Sequence, residues 1–329
     1  METSFLFEVI SENLNVDLFI VDLSEITVII FFRITILKCH QFSVKFRKYK
    51  MQGLKKVVVT GSNKGIGFAI AEKLAAREGW HVIMAVRNPA LGEESRGKIL
   101  KQFPQAQVSV EKLEVADSKS IDTFVTALSQ KYSHVDAFIN NAGVYPKNDA
   151  FNPEAYKYTF DTNVFGTIEL TQKVLPLLAD NGKIITLGSG LGPVAFRGIT
   201  NNKLKEKLRR PDLTSDELVQ LAKEYGQGVS DNTYAQKGWT NQLYHVSKLF
   251  INVYAKVLGA RQDILKRNIQ VYACCPGWIQ TDMTGHNPAA KPVEQGTVTP
   301  LYLFDLPFAV NKELQGQFFQ GAKLSTTFE

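Results

Sequence analysis

From Lys55 onward, hydrophobic positions in this chain recur with two alternating periods. "KKVVVT", residues 55–60, is a short β-branched run bounded by glycine, the pattern of a buried parallel strand. "IGFAIAEKLAAREG" sets Ile66, Ala69, Ile70 and Leu74 on one helical face, with Gly79 as a C-terminal stop. "WHVIMAV" predicts a second strand, and "PALGEESRGKILKQF" a helix that opens on proline. Two more strands, "VSVEKLEV" and "VDAFIN", flank the helix "SKSIDTFVTALSQKY". One long helix is predicted over residues 153–179, "PEAYKYTFDTNVFGTIELTQKVLPLLA". The strand "KIITLG", the helix "YHVSKLFINVYAKVLGARQ" and the strand "IQVYACC" follow. Strands alternating with helices predict an α/β fold, a single doubly wound parallel sheet with helices on both faces. No repeat or low-complexity linker divides residues 51–329, so one domain is expected there.

Residues 1–50 break this pattern. Leu18 to Leu37, "LFIVDLSEITVIIFFRITIL", approaches membrane-spanning length but carries Asp22, Glu25 and Arg33, each costly at a bilayer centre. It is no standard signal peptide, because acids precede the apolar run and no small-residue cleavage site follows. The basic tail "KFRKYK" would suit an anionic lipid surface. Two readings stand. The favoured one is a non-native extension, since Met51 stands just before the first strand; the other is a weak membrane anchor through residues 18–37. A cytoplasmic protein is expected on the first, a membrane-associated one on the second.

Composition narrows the partners. The chain has 329 residues, 44% hydrophobic and 21% charged, ordinary for a soluble globular protein. Its net charge is +6, yet residues 1–50 hold six Lys/Arg and six Asp/Glu, so the excess lies in the remainder. No aromatic-interleaved basic repeat is present, so nucleic acid is not expected; a phosphorylated small ligand also suits a basic protein. Cys39, Cys274 and Cys275 lack metal-ligand spacing, and no metal site is expected. Adjacent Cys274 and Cys275 read as small buried hydrophobes in a reducing compartment.

The candidate chemistry begins at "TGSNKGIG", residues 60–67. Its spacing, Gly61-x-x-x-Gly65-x-Gly67, differs from the usual dinucleotide fingerprint G-x-G-x-x-G. It nevertheless leaves a strand and enters a helix, where free N–H groups and the helix dipole favour a phosphate. A tight structural turn would also explain the glycines, but the βαβ context favours the nucleotide. The second strand ends "AVRN", with Arg87 where an NAD-binding sheet offers an acid to the adenosine ribose. A carboxylate there would repel a 2′-phosphate, whereas Arg87 and Lys64 would attract one. NADPH is therefore expected over NADH, although surface cations are commonly just solvated.

"TGSNKGIG", "NNAG" (140–143), "TNVFGT" (162–167), "GS" (188–189), "YHVSK" (244–248) and "CCPGWIQTDM" (274–283) follow one another in a familiar order. From Met51 to the C-terminus the chain resembles the short-chain dehydrogenase/reductase family, and within it the monomeric NADPH-dependent carbonyl reductases. The resemblance implies a Rossmann-like sheet and a catalytic tetrad of Asn163, Ser189, Tyr244 and Lys248. Tyr244 would give a proton to a substrate carbonyl, Ser189 would hydrogen-bond the same oxygen, Lys248 would hold the nicotinamide ribose, and Asn163 would support a water-linked relay. Tyr244 and Lys248 are i and i+4 on a helix and share a face. A nearby ammonium is expected to lower the phenol's pKa toward working range. Cofactor contacts carry over to Gly61, Asn63, Lys64, Gly65, Ile66 and Gly67 of the loop, and to Arg87, Asn140, Asn141, Ile279 and Thr281. Glu114, where relatives commonly have aspartate facing the adenine, and Val115 carry over more weakly. Trp278 and Met283 are candidates for the substrate cleft, with packed core as their alternative, and Tyr145, just after "NNAG", is a further candidate.

Ser189 and Tyr244 lie further apart than in most relatives. The extra segment, about Pro193 to Thr240, contains "LTSDELVQLAKEY", where Thr214 and Glu217 form a candidate capping box before Leu218, Leu221 and Ala222. At least one helix is expected there, ahead of the tyrosine helix. In the similar carbonyl reductases such an insertion covers an oligomerisation surface, so a monomer is expected. The sequence leaves three functions open: a reductase of ketones, aldehydes or quinones; a substrate-specific alcohol or steroid-type dehydrogenase; and a catalytically silent NADP(H)-binding sensor. The intact tetrad favours an enzyme.

Overall fold

The computed structural model describes residues 53–307 and 311–328, apart from the Lys147 side chain. Residues 54–329 form a compact unit of their own. The expectations for residues 1–50, the apolar run at 18–37 and Cys39 included, fall outside the described residues.

β1 (Lys55–Thr60), α1 (Gly65–Ala75), β2 (Trp80–Val86), α2 (Pro89–Gln102), β3 (Gln107–Lys112), α3 (Ser118–Lys131) and β4 (Val135–Asn140) alternate as the periodicity dictates. Then come α4 (Pro153–Phe160), a π turn (Asp161–Gly166), α5 (Thr167–Val174) and β5 (Leu178–Leu187). Three helices follow before the tyrosine helix: α6 (Leu191–Gly198), α7 (Asn202–Arg209) and α8 (Ser215–Ser230). The chain continues through α9 (Leu243–Gly259), α10 (Gln262–Lys266), β6 (Gln270–Cys275), α11 (Val298–Asp305), β7 (Phe318–Gln320) and β8 (Lys323–Ser325).

The eight strands form one sheet in the order β3-β2-β1-β4-β5-β6-β7-β8, with only β8 antiparallel to its neighbour. Val57, Val58 and Val59 are fully buried, as a strand covered on both faces must be. On one face Val57, Val59, Met84 and Ile139 pack with Ile70 and Leu74 of α1, Ile99 of α2 and Leu303 of α11. Each such side chain contributes on the order of 1.5–3 kcal/mol of burial. Helix α9 packs on β5 and β6 and against α4, α6 and α8.

Three elements depart from the periodicity. The predicted helix over 153–179 is broken twice. The first break is the π turn, where a Cβ on Gly166 would sit 1.9 Å from the Val115 carbonyl oxygen, so only glycine lets the helix pass that loop. The second is at Pro176, which lacks an N–H; the helix tightens to a 3₁₀ turn, and β5 begins at Leu178, earlier than expected. β3 ends at Lys112 instead of Val115, because the Glu114 N–H turns to the Ser120 hydroxyl (2.8 Å). Two helices, α7 and α8, lie wholly within the insertion and α6 runs into it, and Thr214 and Glu217 do form the capping box at the start of α8. No period marked β7 or β8, which have three residues each.

Candidate active site

The strand order reverses between β1 and β4, which places a crevice beyond their C-terminal ends. There the two strands are stitched together: the Thr60 hydroxyl accepts from the Asn141 and Ala142 N–H groups (3.0 and 2.9 Å). Asn141 Nδ2 donates to the carbonyls of Thr60 (2.8 Å) and Gly61 (3.2 Å) and so holds the glycine loop. Gly61 and Gly65 have φ of +64° and +57°, in the left-handed region. A Cβ on Gly67 would lie 2.3 Å from Asn141 Nδ2 and 2.5 Å from the Gly61 carbonyl oxygen. Asn63 is held by its carbonyl, which accepts from the Ser95 hydroxyl (2.7 Å). No side chain caps the N-terminus of α1, so its first-turn N–H groups stay open to an anion. Asn140 points into the scaffold instead, donating to Thr171 (2.9 Å) and Thr186 (3.3 Å).

Two cations flank this loop. Arg87, three-quarters exposed, has Nε 3.5 Å from Glu114 Oε2. Lys64 Nζ lies 2.5 Å from Asp282 Oδ2, and Asp282 also holds His286 Nε2 at 2.7 Å. Exposed pairs of this kind are worth about 0–1 kcal/mol, so a phosphate dianion can take both cations over. A glycine cradle, an uncapped helix start and two exposed cations fit a dinucleotide that carries a 2′-phosphate. Around them Val115 and Ile279 are buried, Ile66 and Ile279 close on Gly296, and Thr281 meets Gly65.

Tyr244 and Lys248 lie on α9, with Lys248 Nζ 5.7 Å from the Tyr244 ring centroid. Lys248 is 6% exposed and donates to the Leu187 carbonyl (2.7 Å); burial pulls its pKa down to about 8. The expected lowering of the Tyr244 phenol is not found. Burial pushes it up, and the neighbouring Cys275 and Tyr145 push the same way. Desolvation of the buried phenolate is the largest of these causes, and it outweighs any pull from the lysine.

Asn163 sits on the π turn. Its Oδ1 accepts from the Val144 N–H (2.8 Å), while Nδ2 donates to the Val144 carbonyl (2.9 Å) and to Ser247 (3.1 Å). A Cβ on Gly143 would come 3.3 Å from Asn163 Oδ1 and 3.6 Å from Lys248 Nζ, so both groups border one small space. The Ser189 hydroxyl oxygen accepts from the Leu191 N–H (3.1 Å). The sequence reading missed Asn252, whose Nδ2 donates to the Ser189 carbonyl (3.1 Å). A signal existed: a polar residue on the apolar stripe of α9, one turn beyond Lys248. Trp278 and Met283 are 55% and 43% exposed, so neither is core. The Tyr145 ring lies 4.7 Å from that of Tyr244.

Comparison with known proteins agrees with this geometry. A family model described as short chain dehydrogenase matches residues 55–201. The chain is 34% identical over 277 residues to carbonyl reductase (NADPH) 1 of Mus musculus, covering 81% of this chain and 96% of that one. It is 32% identical to carbonyl reductase (NADPH) 3 of Homo sapiens, over 76% and 90% of the two chains. Among solved structures, salutaridine reductase of Papaver somniferum shares the fold, with a TM-score of 0.70, 24% identity and coverage of 80% and 99%. Likeness that spans nearly the whole of its curated relatives and most of its own length makes the chain a member of the short-chain dehydrogenase/reductase family.

Proposed function

We propose that the protein is an NADPH-dependent carbonyl reductase acting on ketones, aldehydes or quinones, with Tyr244 as proton donor. The observation that carries this reading is the 2.7 Å hydrogen bond from Lys248, one turn after Tyr244 on α9, to the Leu187 carbonyl two residues before Ser189, beside a crevice whose glycine loop and cations suit NADP(H). The curated relatives named above are NADPH carbonyl reductases, which supports the cofactor and the reaction class.

Bound NADPH supplies the hydride. The residues of this chain hold, orient and protonate. The Ser189 oxygen already accepts from the Leu191 N–H, which leaves its own O–H free to donate to a carbonyl oxygen. Burial keeps the Tyr244 phenol protonated and ready to give its proton to that oxygen. Lys248 is anchored on the Leu187 carbonyl and keeps further N–H donors for the cofactor ribose. Asn163 fixes the Gly143–Val144 backbone beside the ammonium. Trp278 and Met283 are exposed and offer apolar surface to a substrate.

The insertion supports a monomer: α8 turns Leu218, Leu221 and Tyr225 inward against its own fold. Sedimentation velocity tests this. Free, buried Cys274 and Cys275 suit a reducing compartment such as the cytoplasm. Among the described residues no helix is long and apolar enough to cross a membrane.

The test is loss of NADPH or NADH absorbance with a panel of quinones, aromatic ketones and aldehydes, run beside Tyr244→Phe. Turnover that prefers NADPH and disappears in the variant is the expected result. Tight NADPH binding with no turnover of any compound would favour the sensor.

A further inference from the structure

Tyr145 has surroundings that give it a sharper role than lining a pocket, a role that rests on the carbonyl-reductase reading. Its ring meets that of Tyr244 at 4.7 Å between centroids, tilted by 46°. Its phenol donates a hydrogen bond to the Asp149 carboxylate. Burial, aided by that hydrogen bond, pushes the phenol up to about 12, so it stays a donor across the working range.

The chain bends sharply to make this contact. Asn148 and Asp149 both have left-handed backbone, with φ of 53° and 52°, and Pro146 beside Tyr145 is buried. Asn and Asp tolerate that region better than other side chains, yet two in succession are costly unless something holds them. Here the hold is the Tyr145–Asp149 hydrogen bond. Asp149 also faces His245, the residue after Tyr244, through its charge. The Tyr145 ring is therefore a fixed wall on one flank of the proton donor.

A carbonyl substrate has little freedom in such a site. Its oxygen must reach the Tyr244 and Ser189 hydroxyls, and its carbon must face the cofactor crevice. One choice remains, a half-turn about the C=O axis. That half-turn exchanges the two substituents and presents the opposite face to the hydride. With Tyr145 filling one flank, the smaller substituent fits on that side, and the larger is left to the opposite side.

We propose that Tyr145, braced by Asp149, is the specificity-determining residue that decides which face of a ketone is reduced. The experiment measures the enantiomer ratio of the alcohol, by chiral chromatography, from acetophenone or the first other prochiral ketone on the panel that the full-length protein reduces. Tyr145→Ala is expected to lower the ratio about tenfold, the scale on which a pocket wall discriminates substituents. Tyr145→Phe and Asp149→Asn keep the ring but loosen its brace, and intermediate ratios are expected from both. NADPH dissociation constants, read by fluorescence, are expected to match the parent protein in all three. An unchanged ratio in a Tyr145→Ala protein that binds NADPH and turns over overturns the role of Tyr145 alone. A parent protein that reduces no carbonyl compound overturns the reductase reading, and this role with it.

Discussion

Asn163 grips the backbone of Val144 from both sides: its Oδ1 accepts from the N–H at 2.8 Å and its Nδ2 donates to the carbonyl at 2.9 Å. Asn163 lies on the π turn, whose wider winding sets it out of the ordinary helical register, and it meets the loop that follows β4. Asn163→Ala leaves both Val144 groups without this partner. A stability loss of about 1–3 kcal/mol is expected in urea unfolding, with a fall in kcat. Asn163→Asp keeps the acceptor but loses the donor, so its carboxylate would face the Val144 carbonyl. It is expected to be no better than alanine; a variant with parental kcat and stability would sink the positioning role.

Arg87 and Lys64 are expected to choose the cofactor. Arg87→Ala should raise the KM for NADPH about tenfold, the loss of one charge-assisted hydrogen bond, and leave that for NADH unchanged. Asp282→Asn frees Lys64 from its internal carboxylate and is expected to tighten NADPH binding. Equal effects on the two cofactors would show that neither cation meets the 2′-phosphate.

Gly67 is expected to accept no side chain. The added methyl of Gly67→Ala would overlap Asn141 Nδ2 and the Gly61 carbonyl, so the clamp between loop and β4 must open. Overpacking of this kind costs about 1–3 kcal/mol. A lower urea midpoint together with weaker NADPH binding is the expected pair of results. A Gly67→Ala protein that binds NADPH as the parent does would remove the case for this close approach.

The Lys248 ammonium holds its proton more weakly in the folded protein, with a pKa near 8 against an ordinary 10.5. Between those values the unfolded chain binds more protons, so this group makes stability rise with pH. Below about 8 the full cost of the buried charge is present. Lys248→Met removes that cost. Unfolding of the cofactor-free protein should show the variant's relative stability greatest below pH 8 and shrinking toward pH 10.5. Other groups titrate alike in both proteins, so a constant difference would mean that Lys248 is not desolvated as described.

Much of this protein is decided locally. A β-branched run between glycines has few alternatives to a buried strand, and a 3.6-residue apolar stripe has few alternatives to a helix on that strand. The alternating order then implies the parallel sheet, and glycines at a strand-to-helix junction imply an anion at the helix start. The Thr214–Glu217 capping box is equally local, since both its partners lie within one turn. Other features depend on residues distant in the chain. The helix over 153–179 breaks because Gly166 must slide past Val115, a contact between elements 51 positions apart that no period records. Asn252 becomes part of the site only because α9 brings it to the Ser189 carbonyl. The Tyr244 phenol rises instead of falling because burial, a property of the whole fold, outweighs the one neighbour visible in the sequence. Periodicity and short motifs report forces that act within a few residues. Close approach, desolvation and the wall that Tyr145 sets beside Tyr244 exist only once the sheet has gathered its loops at one end.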